Sequence, residues 1–568
     1  MHNRAAALLG AGLAVFALSG GAALRAQGAD FTHEVTAGSP AERYLRVLQV
    51  AGRAPLTPWS LRGLSPVEVD RLLAGADASH PWYARFAPGD SGRRARFAWL
   101  RPAAEAGFNS AFPAGTNDGA VWAGRGVTTS LSAGFDFRGG PVSLRVQPVA
   151  FWAQNADFDL MPNGRTGKLA FANADFPFNI DAPQRFGSGA YARVDPGQST
   201  LRLDVRGVAL GASTANEVWG PGEDLPLVLG TNAPGFPHLF LGSSAPWKIG
   251  IGTAHARLLW GRLDQSDYSP VTIAEKRRFM TGWVLAFTPR GLDGLEVGAS
   301  RFFHTAWPQG GPGLDDFLEP FQAFFKTRVD STGLGPDGRS SPDNQLVSVF
   351  GRWVLPRGGV EVWSEFSRND HAWDLQDALL EPDHSTAYAL GARKVWSRGD
   401  ALVSLRAEWL DAQRSNLQQV RNQGNPYTHA NELQGHTQRG QILGSPAAFG
   451  GGGAVLSLER FSPRGRWSVD WSRTRIRGPM AAPLTAADSA RVDVVQSLGV
   501  QGTLFRGGTD LLLRLRGDYE MDRYFDGDAF NLSAAVGLRV GLGAGRRAPV
   551  RVPAPVAETG PGSDAGPR

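Results

Sequence analysis

Over residues 107–542 the apolar side chains recur with a period of two. Nowhere in that span is there a run approaching the ~20 apolar residues that a membrane-spanning helix needs. The alternation is plain in Leu131-x-Ala-x-Phe-x-Phe137, Val142-x-Leu-x-Val146, Leu201-x-Leu-x-Val205, Trp467-x-Val-x-Trp471 and Leu511-x-Leu-x-Leu515. It is longest in Phe530-x-Leu-x-Ala-x-Val-x-Leu-x-Val-x-Leu542. Charged residues often fill the gaps, among them Arg202, Asp204, Asp470, Arg514 and Arg516. A period of two puts the apolar and polar sets on opposite faces of a strand.

Two architectures alternate in this way, a soluble sandwich with its polar face in water and a membrane barrel with its polar face in the lumen. Two features favour the barrel. The last alternating run is far longer than the ~5–6 residues usual in soluble strands. Aromatics also gather near strand ends, at Trp283, Phe287, Trp353, Trp363, Trp396 and Trp409, as interfacial girdles require. At about 10 residues per crossing plus turns, the region accommodates roughly 16–18 strands. The fold class is therefore all-β, a transmembrane antiparallel barrel with a small N-terminal helical element.

Residues 1–26 carry a basic start (Arg4), an apolar run and small residues before a cut after Ala26, which together read as a secretory signal peptide. The alternative, an uncleaved N-terminal anchor, has too short an apolar core. An exported chain without a second apolar span crosses a membrane only as strands. The chain has no cysteine, which excludes disulfides, thiolate metal sites and cysteine nucleophiles. Its formal charge of +5 is spread along 568 residues, so there is no nucleic-acid footprint.

Residues 27–104 form the N-terminal element. Ser39-Pro-Ala-Glu42 and Ser65-Pro-Val-Glu68 are both capping boxes with proline at the first helical position. An apolar stripe follows each, and Pro55, Pro58 and Trp59 make the turn between them. This reads as a packed two-helix element on the periplasmic side. The barrel is assigned to 105–543, and the Pro/Gly/Ala-rich 544–568 to a disordered tail. Within the barrel, Pro289-Arg-Gly, Pro356-Arg-Gly-Gly, Pro463-Arg-Gly and Arg506-Gly-Gly are tight turns. Long connectors are expected at 152–190, 216–246, 304–345, 411–453 and 476–490. The Gly- and Pro-rich stretch 216–243 is the most distinctive, because long ordered loops are usually functional.

That stretch contains Trp219-Gly-Pro-Gly222 and Asn232-Ala-x-x-Phe-Pro237, with Gly261-Arg-Leu-Asp264 beyond it. Earlier stand Tyr44-Leu-x-x-Leu-x-x-Ala-Gly52 and Pro58-Trp59. Later comes Tyr427-x-His-x-x-x-x-x-Gly-His-x-x-x-Gly-x-x-Leu-Gly444. In this order the motifs resemble the Wzi-type capsule-assembly proteins of the bacterial outer membrane. The chain departs from that pattern at His436, where the family tends to have Tyr, and at Ser445-Pro446, where it tends to have His-Ser. The resemblance implies a monomeric barrel of about 18 strands in the outer membrane. It further implies a lectin-like task without catalysis, binding capsular or extracellular polysaccharide and supporting capsule assembly and attachment. The partners would be that polysaccharide and outer-membrane lipid.

Sugars are bound by aromatic faces and by planar amide, carboxylate or guanidinium groups. The candidates of these types are Trp219, Asn232, His238 and Trp247 around the central stretch, and Tyr427, His429, Asn431 and His436 in the second block. Each also has a structural reading, in which Trp219 plugs the barrel and Asn232 satisfies loop backbone. No metal or other cofactor is expected: no carboxylate near His429 and His436 completes a recognisable ligand set. Asp315-Asp316-x-x-Glu319 and Asp518-x-Glu520-x-Asp522 lack calcium-loop spacing and read as solvated turns. There is no G-x-S-x-G, HExxH, Walker A or dinucleotide motif. The competing function is a general porin or solute channel, consistent with charged inward positions.

Overall fold

The computed structural model describes residues 34–86, 95–176, 178, 180–271, 276–321, 344–369, 374–415, 423–429, 432–477 and 492–541. The expected leader at 1–26 and tail at 544–568 lie outside them.

Eighteen antiparallel strands close into a barrel. Most run from 10 residues (Val360–Asn369) to 15 (Thr509–Arg523). The first strand, Ala95–Asn109, closes the ring against the last, Gly527–Val540, with Ala103 opposite Arg539 and Asn109 opposite Ser533. The alternation read from sequence is the in/out parity of these strands. On Thr509–Arg523, Leu513 and Leu515 are exposed on the lipid face, while Arg514, Arg516 and Asp518 line the lumen. Trp353, Trp396 and Trp409 are likewise exposed near strand ends, as a girdle requires. The third and fourth crossings are each broken in two, Val142–Val146 with Val149–Ala153 and Tyr191–Asp195 with Thr200–Val205.

The barrel wall departs from the sequence reading at three points. The barrel begins at Ala95, ahead of the expected 105. The stretch 216–246 is not all connector, because His238–Ser243 is a barrel strand with Leu239 and Leu241 outward and Phe240 inward. Trp363 is no girdle residue; it points into the lumen, 4% exposed, under the guanidinium of Arg46 at 4.9 Å.

The tight turns at 289–291, 356–359, 463–465 and 506–508 all lie at one end, which short turns mark as periplasmic. The N-terminal element seals this end. Helix α1 (Pro40–Val50) and helix α2 (Pro66–Ala74) start at Ser39 and Ser65, as their capping residues dictate. Only Ser65 has the reciprocal box: Glu68 returns to the Ser65 N–H at 2.9 Å. Glu42 instead takes the N–H of Gly38 at 2.6 Å and grips Arg62 at 2.6 Å. Nearly every residue of α1 is buried, including Arg46 and Gln49, because the helix sits inside the barrel end. Tyr44 stacks on Trp82 at 4.3 Å and tilts against Phe461 at 5.4 Å.

On the opposite, lipid-facing side of the wall a short strap crosses three strands. Phe279, Thr281, Arg301, Phe303 and Gln345 point outward by parity, yet each is no more than 3% exposed. The segment 314–321, starting with the helix Leu314–Leu318, lies over part of this patch, with Phe317 against Phe279 at 5.6 Å and Pro320 O accepting from Arg301 at 3.3 Å. The indoles of Trp260 and Trp283 donate to the carbonyls of Phe317 and Pro320, both at 3.1 Å. Irregular backbone against lipid requires such partners. The strap turns Leu314 (74% exposed), Leu318 (51%) and Phe321 (61%) away from the wall.

Candidate functional site

The central stretch does not hang outside the barrel; it folds down into the lumen. Leu61 and Arg62 of the N-terminal element pair antiparallel with Trp219 and Val218, so a two-residue ladder joins the periplasmic seal to the lumen filling. The backbone turn at Gly220 needs φ of +89°, which favours glycine. A Cβ there would also lie 2.4 Å from Oε2 of Glu365. Leu225, Leu227, Val228, Leu229, Ala233 and Phe236 then form one apolar core with wall residues such as Leu259, Met280, Phe302 and Leu346.

The second block packs on the first. Gly230 N–H donates to Leu443 O at 2.8 Å and Ser445 N–H to Pro226 O at 2.8 Å. The Tyr427 hydroxyl donates to Leu227 O at 2.5 Å, and His436 Nε2 to Val228 O at 2.6 Å. Trp219 is fully buried, its indole edge-on to Phe302 at 6.2 Å. Asn232 donates to Ile442 O at 2.9 Å. His238 is buried, with Nδ1 donating to Phe236 O at 2.8 Å and Nε2 facing Glu217 at 3.6 Å. Burial pushes the Glu217 carboxyl up, but Arg257 and His238 outweigh it and bring it down to about 2. His429 accepts from the Glu432 N–H at 3.1 Å. The structure thus gathers Trp219, Asn232, Tyr427 and His436 in a single plug, where Asn232, Tyr427 and His436 hold backbone carbonyls, and His238 holds Phe236 O from the adjoining wall strand. Trp247 stands apart, on the outer wall, donating to Gly207 O at 2.6 Å. Asn431 lies outside the described residues.

A buried ion network ties the plug to the wall. Glu223 faces Arg43 at 2.8 Å and also pairs with Arg393. Asp224 meets Arg406 at 2.5 Å. Glu408 accepts the consecutive backbone N–H groups of Glu223, Asp224 and Leu225, each at 3.1 Å. On the wall, Glu361 collects Arg352 at 2.5 Å, Arg46 at 2.9 Å and Arg393 at 3.2 Å. Burial alone would raise the Glu223 carboxyl; Arg393, Arg406 and Arg43 hold it well below the usual carboxylate range. Charges removed from water stay in place only with partners at this density.

Against the remaining wall the lumen is not filled. A cavity of about 400 Å³ opens at the long-loop end, lined by Phe112, Phe158, Phe176, Phe449, Tyr524 and a set of arginines. Three of the arginines are held in place: Arg477 by Asp175 and Asp493, both at 2.7 Å, Arg516 by Asp518 at 2.5 Å, and Arg523 by Glu520 at 2.5 Å. Arg523 also lies 4.3 Å from the centre of the Phe112 ring and 4.5 Å from that of Tyr524. Asp518 and Glu520 are therefore buried wall residues on a strand rather than the solvated turn expected of them. Below lies a second cavity of about 470 Å³, lined by Thr128, Ser130, Asp470, Ser472, Gln501 and Ser533, among others. Rigid aromatic faces and fixed arginine and carboxylate groups around a solvent-filled cleft suit a polyhydroxylated ligand. Sequence reading missed this wall, because its residues come from several strands far apart in the sequence. Among the described residues no three His, Asp or Glu are placed to hold a metal ion.

The family model described as capsule assembly protein Wzi matches residues 105–494 of the chain. Among solved structures, one from Escherichia coli covers 89% of this chain and 99% of its own at 17% identity, with a TM-score of 0.59. It is described as Wzi, an outer-membrane protein involved in group 1 capsule assembly and a carbohydrate-binding β-barrel. A BenF-like porin from Pseudomonas fluorescens covers 78% of this chain and 99% of its own at 10% identity, with a TM-score of only 0.37. OprD from Pseudomonas aeruginosa covers 80% and 95% at 9% identity, also with a TM-score of 0.37. No curated protein matches the sequence.

Proposed function

The chain belongs to the Wzi family of capsule assembly proteins and lies in the bacterial outer membrane, and from that premise we propose that it binds capsular or extracellular polysaccharide at the cell surface. It acts there as a lectin-like, non-catalytic monomer that supports capsule assembly and attachment. The observation that carries this reading is the aromatic- and arginine-lined cleft at the long-loop end, the one face of the plugged barrel turned toward the surface. The E. coli relative is described as carbohydrate-binding, which supports the same reading. In this account Trp219, Asn232, His238, Tyr427 and His436 act through the plug, setting the shape of the cleft, and Phe176, Phe449 and Arg523 meet the sugar. The ion-paired plug and the helical seal argue against a general solute channel as the principal task.

The test is direct binding of the purified protein in detergent to polysaccharide prepared from the same bacterium. Phe176→Ala and Arg523→Ala, made separately, are expected to weaken binding roughly tenfold, the scale of one lost aromatic or charged contact. Binding unchanged in both variants would remove the cleft from the account.

A further inference from the structure

The lumen cleft has a mouth and a floor, and this geometry bears on which part of a polymer it can hold. The outer and inner cavities share Thr116, Pro446, Thr474 and Arg516 in their linings, so they adjoin as the two chambers of a well beside the plug. Its sides are closed. One is the barrel wall, with Ser130, Ser472, Gln501 and Ser533 inward. The other is the plug, with Asp224, Leu225 and Ala447, and Arg43 of α1 reaching in from the seal.

Beneath the inner chamber the barrel is packed shut. Asp510, 1% exposed, accepts from Arg85 and Arg101, both at 2.8 Å. Arg101 also donates to Gly508 O at 2.6 Å and Arg539 O at 3.0 Å. Trp82 stands edge-on to Phe461 at 5.5 Å and to Phe505 at 5.2 Å, filling the space alongside. Among the described residues the well is therefore blind. Each chamber falls within the ~300–1,000 Å³ that encloses a ligand of drug size, which is also the size of a disaccharide.

We propose that the well recognises the end of a polysaccharide chain rather than its middle. This rests on the polysaccharide-binding reading above. A chain passing across the mouth has no exit through the floor and leaves the inner chamber empty; only a terminus descends. The lining changes with depth as terminal recognition requires. The mouth offers Phe158, Phe176 and Phe449 for the ring faces of sugars still in the chain. The inner chamber offers hydroxyl and amide groups, Thr128, Ser130, Ser472, Gln501 and Ser533, beside charged ones such as Asp470 and Arg514, and these pair with the several free hydroxyls of a last residue. End recognition gives one bound protein per chain and makes binding insensitive to chain length.

The experiment uses the full-length protein in detergent and the bacterium's own surface polysaccharide, sheared and separated into size fractions of known mean length. Each fraction competes with a labelled long chain. End recognition predicts equal potency per mole of chain, so that a fraction tenfold shorter is tenfold more potent per gram. Equal potency per gram across the fractions overturns the proposal while leaving polysaccharide binding intact. If no fraction competes and the long chain does not bind, the polysaccharide reading itself fails, and this proposal with it. As a second arm, Ser472→Trp fills the inner chamber from the wall and is expected to weaken end binding at least tenfold. A fall of that size only in a mouth variant such as Phe176→Ala, with Ser472→Trp binding as wild type, contradicts end recognition.

Discussion

His436 Nε2 donates to the main-chain carbonyl of Val228 at 2.6 Å, and this bond joins two sequence signatures 208 residues apart. The imidazole also lies against Tyr427 at 5.1 Å and edge-on to Phe302 at 5.0 Å. It is a joint of the plug, wholly buried.

Losing that joint leaves a buried carbonyl without its donor, a loss of about 1–3 kcal/mol. His436→Ala is therefore expected to lower the thermal transition of the purified barrel, while His436→Gln, which keeps a donor, recovers part of the loss. Differential scanning calorimetry decides the matter. A His436→Ala protein as stable as wild type would detach His436 from this structural role.

Gly220 is confined twice, by a φ of +89° and by Glu365, whose Oε2 would lie 2.4 Å from any Cβ. A left-handed backbone with a Cβ costs about 1–2 kcal/mol before the clash is counted. Gly220→Ala should therefore destabilise the plug clearly more than Gly222→Ala, whose Cβ would meet Leu225 O at 3.1 Å without a positive φ. Protease sensitivity of the central loop measures the difference, and equal sensitivity of the two variants would refute it.

In the periplasmic seal, His80 Nδ1 accepts from the Tyr44 hydroxyl at 2.8 Å. Burial, helped by the nearby charge of Arg53, lowers the imidazole to about 4. Unfolded histidine titrates near ~6.5, so the unfolded seal binds the proton first as pH falls. The stability that His80 contributes is complete above about pH 6.5 and is lost as pH falls through about 4. Amide exchange in α1 should accelerate over that window, and His80→Gln should flatten the response. An unchanged profile in His80→Gln would assign the pH dependence elsewhere.

The strap is open to a clean chemical probe, because the chain has no cysteine of its own. With the indoles of Trp260 and Trp283 holding its carbonyls against the outer wall, Leu318 is turned away from the barrel, and the expectation is that it faces lipid. Leu318→Cys in proteoliposomes should react slowly with a charged maleimide and quickly after detergent is added. Fast labelling before detergent would put the strap in water.

Much of the fold was legible because lipid on one side and a polar lumen on the other force strict alternation, as in Phe530 to Val540. The start of the barrel was not. The first strand contains Pro102, and its register shifts between Leu100 and Ala103, so the ladder and the pattern break together. His238–Ser243 was hidden by the Gly and Pro around it. Trp363 and Trp353 look alike in sequence, since parity alone does not say which face is the lumen. The motif residues drew notice as sugar ligands because they are aromatic and amide groups on a conspicuous loop. The structure gives Trp219, Tyr427 and His436 a plug to hold. The well escaped detection for the opposite reason. Ser472, Arg516 and Ser533 lie on three different strands and become neighbours only when the barrel closes.

Whether the protein holds polysaccharide at the cell surface is read from capsule retention in a clean deletion strain, measured as the ratio of cell-attached to released polysaccharide. Polysaccharide should still be made but shift into the medium, and attachment should return with the wild-type gene and not with one carrying Ser472→Trp. An attached fraction unchanged by the deletion would contradict a role for this protein in holding polysaccharide at the cell surface.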